Sequence, residues 1–263
     1  MTYDKRVLIL FEGKTDQRYF TSIESMGTFS SLLKQGDYTP MLLKTSIYEL
    51  YGPLIENREY DSLPAYLWRK GLLECPKDTR PQDMFSLIYL VFDFDPLYHL
   101  YDSKKIRALQ EHFSDETKEG LLYINYPMVE SILDVETTQD GYRVKRQRPL
   151  ELCSSDSYKS IVRKETPLRS PSGHPYRFLP AKEFAKVSYA SLFRYREITG
   201  TKGPWVFSDG KTLLQKEIAA RDSGLVLPLS CLPFMALDYN AEEAIKEWDA
   251  AKDDVDQSAN KAH

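Results

Sequence analysis

The sequence predicts an α/β fold, with a parallel sheet flanked by helices and a mainly helical C-terminal elaboration. Residues 6–11 and 85–92 are short apolar runs bounded by charged or turn residues, as buried parallel strands are. Each run is followed by a stretch with helical spacing of apolar residues, at 14–26 and 104–113. Alternation of strands and helices through residue 135 is typical of a sheet covered by helices.

The remaining elements follow from shorter patterns. Residues 40–43 and 121–124 are predicted strands, residues 47–73 two helices broken near 61–64, and residues 128–133 the start of another helix. Helices are also predicted at 181–197, 211–221 and 241–250, and the apolar stretch 225–237 is expected to pack in the core. We therefore divide the chain into a catalytic α/β domain (1–135), a basic and polar insertion or connection (136–180), a mainly helical region (181–250) and a disordered tail (251–263).

Composition narrows the class of protein. Of the 263 residues, 42% are hydrophobic and 28% charged, which is typical of a globular chain. No apolar run is long enough to span a bilayer, and no secretory signal is evident, so we expect a cytoplasmic protein without a membrane partner. Three isolated cysteines and four histidines without ligand spacing argue against a disulfide framework or a zinc module. Any metal ion must then be held by carboxylates.

The first group of functional interest follows the first predicted strand. Glu12 and Gly13 lie between that strand and a predicted helix. Ligands bind at the carboxyl ends of parallel strands, so topology alone carries Glu12 to that edge of the sheet. Asp16 falls in the first turn of the helix, where it either adds a ligand or compensates the positive end of the helix dipole.

The second group ends the second apolar run, in the sequence VFDFDP at residues 91–96. In an extended chain, a spacing of two places Asp93 and Asp95 on one face, about 6.5 Å apart. Neighbouring carboxylates repel each other unless a divalent ion lies near them. Oxygen ligands favour Mg²⁺ or Mn²⁺, so we expect Glu12, Asp93 and Asp95 to hold one of these ions. An ordinary Asp-x-Asp turn closed by Pro96 is the alternative for the pair alone.

Together, these two groups resemble the Toprim family. That family includes the catalytic domains of topoisomerases and bacterial primases, the OLD nucleases and small stand-alone proteins of anti-phage systems. The resemblance covers roughly residues 5–135 and assigns Glu12, Asp93 and Asp95 as the metal-binding carboxylates. The stretch YINYPMVESIL at 123–133 is similar to the Asn-Pro-x-x-Glu stretch of RloB-like Toprim proteins, with one tyrosine inserted. It makes Glu130 either a metal or water ligand or a first-turn acid that compensates the dipole.

The resemblance implies metal-dependent chemistry on phosphodiester bonds, in which Asp16 or Glu130 helps to hold a second ion or a water. Hydrolysis is the simplest reaction, because the chain has neither the zinc module of primases nor a recognisable gate domain of topoisomerases. A lysine often assists OLD-like sites. Lys211, with Lys216 near it, is the candidate here, and a solvated surface lysine is the alternative.

A basic segment predicts the nucleic-acid contact. The net charge is -4, but the sequence RVKRQR at 143–148 offers Arg143, Lys145, Arg146 and Arg148 for phosphates. A solvated basic loop is the alternative. Tyrosines 142, 158 and 176 lie in or near this segment and, if exposed, suit stacking on unpaired bases. We therefore expect structured RNA, most plausibly tRNA, ahead of duplex DNA.

The resemblance favours a stand-alone nuclease that acts as a toxin effector in antiviral defence, as in PARIS-type systems. An ATPase sensor would be a separate subunit, because the chain has no Walker A sequence, and a homodimer is compatible with the sequence. Two alternatives stay open. One is an RNA-maturation or DNA nuclease similar to ribonuclease M5 or OLD proteins, and the other is a non-catalytic Toprim adaptor that binds an ATPase partner.

Overall fold

A computed structural model describes residues 6–24, 38–139, 141–177, 179–202 and 210–259. Its centre is a five-stranded sheet in the order β2-β1-β3-β5-β4. The strands are β1 (Val7–Phe11), β2 (Tyr38–Leu42), β3 (Leu87–Asp93), β4 (Ser114–Asp115) and β5 (Gly120–Asn125). β2, β1, β3 and β5 are parallel, and only the short edge strand β4 runs antiparallel. The predicted α/β class with a mostly parallel sheet is confirmed.

The strand register decides where the site lies. Phe11 pairs with Leu42 and with Val91, and Asp93 pairs with Asn125, so the strands end at one common edge. β1 is buried along its whole length, and β3 is buried from Leu90 to Asp93. This burial is why both strands read as unbroken apolar runs rather than as alternating ones.

In the described residues, seven α-helices surround the sheet or extend from it. They are α1 (Lys14–Glu24), α2 (Leu63–Arg69), α3 (Ser103–His112), α4 (Ser155–Glu165), α5 (Ala181–Thr199), α6 (Gly210–Asp222) and α7 (Leu232–Ala259). α1 packs with α5 and α7, and α3 packs with α6. The hydroxyl of Tyr123 in β5 donates to Asp238 of α7 at 2.8 Å, so the C-terminal helix docks on the sheet itself.

Some predicted elements take other forms. Residues 47–73 form a 3-10 turn (Ile47–Leu50), a π-helical turn (Gly52–Glu56) and α2, because Gly52-Pro53 interrupts the first helix. The helix expected from residue 128 is a 3-10 helix, Val129–Leu133. α7 begins at Leu232, since Pro233 is tolerated in a first turn, and it continues past residue 251 to Ala259. The disordered tail predicted there is therefore helical to Ala259, and residues 260–263 lie outside the described residues.

The segment predicted as a polar connection is structured. It contains a hairpin of β6 (Val135–Thr138) and β7 (Gly141–Val144), then α4, and the short β8 (Arg148–Pro149) pairs with β9 (Leu225–Val226). α4 escaped prediction because only Tyr158 and Val162 of its eleven residues are buried. That spacing of four leaves most of the helix polar and hides its period.

A buried ionic contact fixes this segment to the sheet. Asp134 accepts hydrogen bonds from Arg148 Nε at 3.0 Å and Nη2 at 2.6 Å, and from the hydroxyl of Tyr158 at 2.9 Å. Asp134 and Tyr158 are both buried. These bonds hold β8, through Arg148, and α4, through Tyr158, against the end of the 3-10 helix that follows β5.

None of the helices in the described ranges is both long enough and apolar enough to cross a membrane.

We expect Arg148→Met to lower the free energy of unfolding by about 3 kcal/mol, because it leaves Asp134 buried without its cation. Arg146→Met is the matched control, since Arg146 is exposed in the same segment. Urea denaturation of both variants measures the effect. Equal stability of the two variants would contradict the role of this contact.

Candidate metal centre

Glu12 lies directly beyond β1 and faces the end of β3. Its backbone N–H donates to Val91 O at 3.1 Å, and its side-chain Oε2 accepts from the backbone N–H of Asp93 at 3.1 Å. The structure thus brings the two predicted carboxylates together at the carboxyl edge of the sheet. The backbone N–H at the end of β3 thus fixes the side chain of Glu12 at the end of β1.

Asp93 is the last residue of β3 and is buried. Asn125, the last residue of β5, donates from Nδ2 to Asp93 Oδ1 at 3.3 Å. The carbonyl oxygen of the same amide accepts from Cys231 N–H at 3.0 Å and from the Ser230 hydroxyl at 3.3 Å. Asn125 therefore orients Asp93 and ties it to the start of α7. The sequence signal was present, since Asn125 directly follows the predicted apolar strand at 121–124.

Asp95 does not continue the strand, so the predicted spacing of two along one face does not apply. Its φ is 42°, in the left-handed region, and its backbone N–H donates to Pro127 O at 3.0 Å. Phe94 N–H also bonds to Asn125 O at 2.9 Å, and the chain turns at Asp95, whose carbonyl oxygen accepts from Tyr98 N–H at 2.9 Å. Asp95 nevertheless remains in the cluster, since its carboxylate contributes to the raised pKa of Glu12.

Asp16 lies in the first turn of α1, where the sequence predicted it. Its Oδ2 accepts from the backbone N–H of Gly13 at 3.1 Å, which caps the first turn of α1. Its Oδ1 is buried and has no hydrogen-bond partner within the described residues. The carboxylate therefore satisfies the helix with one oxygen and leaves the other available to a ligand.

Glu130 is fully buried in the first turn of the 3-10 helix that follows β5. Neither of its carboxylate oxygens has a hydrogen-bond partner among the residues described. Two cations approach it from α4, Lys159 Nζ at 4.0 Å and Arg163 Nη2 at 3.9 Å. Its charge raises the pKa of Asp16 and Asp93, so Glu130 belongs to the same cluster of acids.

Burial raises the pKa of all five acids, and the charge of a neighbouring acid adds to the shift for Glu12, Asp16, Asp93 and Glu130. Burial first, then the charge of Asp95, raises the pKa of Glu12 to about 9. Burial and the charge of Glu130 raise the pKa of Asp16 to about 7. Burial also raises the pKa of Asp93 and Glu130, and of Asp95, where Lys159 opposes the shift. The cluster holds more negative charge than one lysine and one arginine can neutralise.

This donor set fits a hard divalent cation. The donors are carboxylate oxygens, and they are buried or half-buried. Three buried oxygens, one of Asp16 and two of Glu130, have no hydrogen-bond partner among the described residues. As they stand, the described His, Cys, Asp and Glu side chains form no group of three or more arranged to hold a metal ion. Glu12 and Asp93 instead accept bonds from N–H groups, so binding an ion at these two acids requires their oxygens to exchange those donors.

The lysine of this site is Lys159, not Lys211. Lys211 is exposed and lies 3.8 Å from Glu111, near the end of α3 that leads to β4 at the amino edge of the sheet. That edge is opposite to the carboxylates. Lys159 lowers the pKa of Glu12, Asp16, Asp95 and Glu130. The sequence showed Lys159 only as part of a basic run on an unpredicted helix.

The predicted basic segment is largely occupied by ion pairs. Arg143 and Lys145 share Glu136, with Lys145 at 3.4 Å, and Arg148 bonds to Asp134 and to Glu165. Arg148 is therefore a structural residue rather than a phosphate ligand. Arg146 is exposed and has no ion pair within the described ranges. Of the four residues predicted to contact nucleic acid, only Arg146 is both exposed and without an ion pair within the described residues.

The three tyrosines expected near this segment differ in exposure. Tyr158 is buried against Asp134, and the hydroxyl of the half-buried Tyr142 donates to Glu183 at 2.8 Å. Tyr176 is half-buried and lines a cleft. The prediction of stacking tyrosines is therefore wrong for Tyr158, whose ring is inaccessible.

Comparison of the chain with protein-family models, with curated proteins and with solved structures finds no match.

We expect Glu12→Gln to stabilise the metal-free protein at high pH. In the folded state Glu12 keeps its proton up to about pH 9, whereas the unfolded chain releases it near 4.5. The folded state thus binds more protons, so this stabilising contribution is complete below pH 4.5 and is lost as the pH rises toward 9. Removing the acid should make the melting temperature at pH 8 higher than that of the wild type, by on the order of 5 °C.

Melting in EDTA at pH 5 and pH 8 measures this, with the exposed Glu74→Gln as the control. The advantage of Glu12→Gln should grow between the two pH values. A lower melting temperature than the wild type at pH 8 would mean that the glutamate itself holds the fold.

We also expect Mg²⁺ or Mn²⁺ to bind at pH 8, and Asp93→Asn and Asp95→Asn to weaken that binding by at least about tenfold. Asparagine tolerates the left-handed backbone at 95, so the second variant should keep its fold. Titration calorimetry measures the affinity, with the exposed Asp78→Asn as the control. Equal affinities in all four proteins would remove the metal assignment.

Proposed function

We propose that this chain is a metal-dependent nuclease of the Toprim type, which hydrolyses phosphodiester bonds with Mg²⁺ or Mn²⁺. The observation that carries the proposal is the set of five acids at one strand edge, of which Asp16, Asp93 and Glu130 are buried and Glu12 and Asp95 are half-buried. Burial raises the pKa of every one of them. A structural role gives no reason to bury these charges together, because each loses hydration without gaining a full complement of partners. A bound cation removes that cost.

The residues of the chain divide the chemical roles. Glu12, Asp93 and Asp95 are the proposed ligands, and the ion that they hold when loaded supplies a positive charge that polarises the phosphate. Asp16 suits proton transfer from the attacking water, because its pKa of about 7 lies near the working pH and one of its oxygens is unpaired within the described part of the chain. Lys159 is placed to neutralise charge that develops on the phosphate.

The resemblance to Toprim proteins extends the proposal to a biological role, a substrate and a partner. It favours an effector of anti-phage defence that acts on structured RNA, most plausibly tRNA, beside a separate ATPase subunit. The alternative, an RNA-maturation or DNA nuclease similar to ribonuclease M5 or to OLD proteins, would use the same site on another substrate. The non-catalytic adaptor is disfavoured by the clustering of Glu12, Asp93 and Asp95, since a scaffold has no need to keep three like charges together.

We expect Glu12→Gln, Asp93→Asn and Lys159→Met each to reduce cleavage by about a hundredfold, because the first two variants weaken the hold on the ion and the third removes a positive charge from the site. Lys211→Met is the matched control and should cleave like the wild type, since it lies at the opposite edge. The assay incubates the protein with tRNA, rRNA, single-stranded DNA and plasmid in Mg²⁺ or Mn²⁺, with EDTA as the blank.

Two outcomes separate the alternatives. Fragmented DNA beside intact tRNA and rRNA would replace the RNA substrate and keep the metal site. No cleavage of any of the four nucleic acids, alone or with an ATPase partner, would leave the adaptor as the better account.

A further inference from the structure

A basic cleft adjoins the carboxylates. It has a volume of about 380 Å³ and is lined by Arg18, Tyr19, Arg163, His174, Tyr176 and Arg177. Its walls come from α1, from α4 and from the loop before α5. In a chain of net charge -4, three arginines around one cleft are a local reversal of charge. Such a cleft favours an anionic ligand.

The cleft touches the acid cluster through Arg163. Its Nη2 lies 3.9 Å from Glu130 Oε1, and the same side chain lines the cleft. Arg18 and Tyr19 follow Asp16 within the first turns of α1, so a second element joins the two regions. The cleft is therefore placed to receive the part of a substrate next to the phosphate that the acids address.

The loop that forms the far wall is held in place before any ligand binds. Arg169 donates to Gly173 O at 3.0 Å and to Lys164 O at 2.9 Å, which ties the loop to the end of α4. The Tyr19 hydroxyl donates to Tyr176 O at 3.4 Å, which ties it to α1. A preorganised wall lowers the cost of ordering side chains on binding.

We propose that this cleft binds one unpaired nucleotide of a nucleic-acid strand, next to the phosphate that is cut. The arginines contact its phosphate, and Tyr176 offers a face for its base. This inference rests on the proposed function for its position relative to the cut, whereas binding in the cleft is independent of metal.

Size and shape favour an unpaired strand over a duplex. Sites of roughly 300–1,000 Å³ accommodate ligands of small-molecule size, and one nucleotide is of this kind. In a duplex each base is stacked and paired, so it reaches a pocket only after it is flipped out. Arginine and aromatic side chains together are the usual groups on which single strands bind.

The test measures anisotropy of a fluorescein-labelled strand of about 12 nucleotides, within the usual range of single-strand sites. The strand is RNA or DNA, alone or annealed to its complement, and EDTA is present so that nothing is cut. Arg177→Gln and Arg163→Gln remove one cleft charge each. Lys164→Gln is the matched control, because Lys164 is exposed beside Arg163 but does not line the cleft.

We expect each arginine variant to weaken binding of the single strand by about tenfold. Its salt dependence should become shallower by about 0.7 in slope for each lost phosphate contact. Tyr176→Leu should weaken it by about fivefold, since a stacking face is lost. Lys164→Gln should bind like the wild type. The RNA and DNA arms show which sugar the cleft prefers.

Arginine variants that bind like Lys164→Gln, or a duplex that binds as tightly as the single strand, would overturn the inference. These results leave the metal site untouched. Conversely, binding that depends on the cleft supports the inference even if no nucleic acid is cut in Mg²⁺ or Mn²⁺, and that result counts against the nuclease proposal alone.

Discussion

Five acids share the carboxyl edge of one small sheet, and their mutual repulsion is the constraint on which the surrounding structure depends. Burial raises the pKa of each acid, and the neighbours of Glu12, Asp16 and Asp93 raise it further. Without a cation, the folded protein must keep several of these groups protonated near neutral pH. Folding stability is therefore coupled to the protonation of these acids, and binding of the proposed ion would compete with the same protons. The parallel register is the cause of the crowding, because it ends β1, β3 and β5 side by side.

Polar contacts behind the acids compensate for this repulsion. Asn125 fixes Asp93 and is itself fixed by Cys231 at the start of α7, so the C-terminal helix supports a residue of the site. Asp134 plays the corresponding part for α4, through Arg148 and Tyr158. Both contacts are buried, so each is sensitive to the loss of one partner. The region after residue 135 is thus part of the site's support rather than an independent addition.

The sequence predicted the sheet well, because parallel strands that are buried on both faces read as apolar runs. The positions of Glu12 and Asp93 follow from topology once those strands are known.

The turn at Asp95 was not predictable, because its left-handed backbone depends on hydrogen bonds to the loop at the end of another strand. α4 was missed for a related reason. Two buried residues anchor it, and its place over Glu130 is set by Asp134, which no local pattern shows. Lys159 was missed together with α4, because it lies on that helix, and Lys211 was predicted in its place.

The placement of α4 explains how one edge of the molecule carries an acidic cluster and a basic cleft side by side. Lys159 and Arg163 are four residues apart, so they lie on one face of the helix and both reach Glu130. Arg163 also lines the cleft, where its charge adds to those of Arg18 and Arg177. A phosphate that approached the bare acids would be repelled at the distance where it must react. In the proposed binding mode, the cleft attracts the phosphate backbone of the strand before the strand meets the acids. The cations of α4 and its neighbours thereby offset the repulsion that the acid cluster creates.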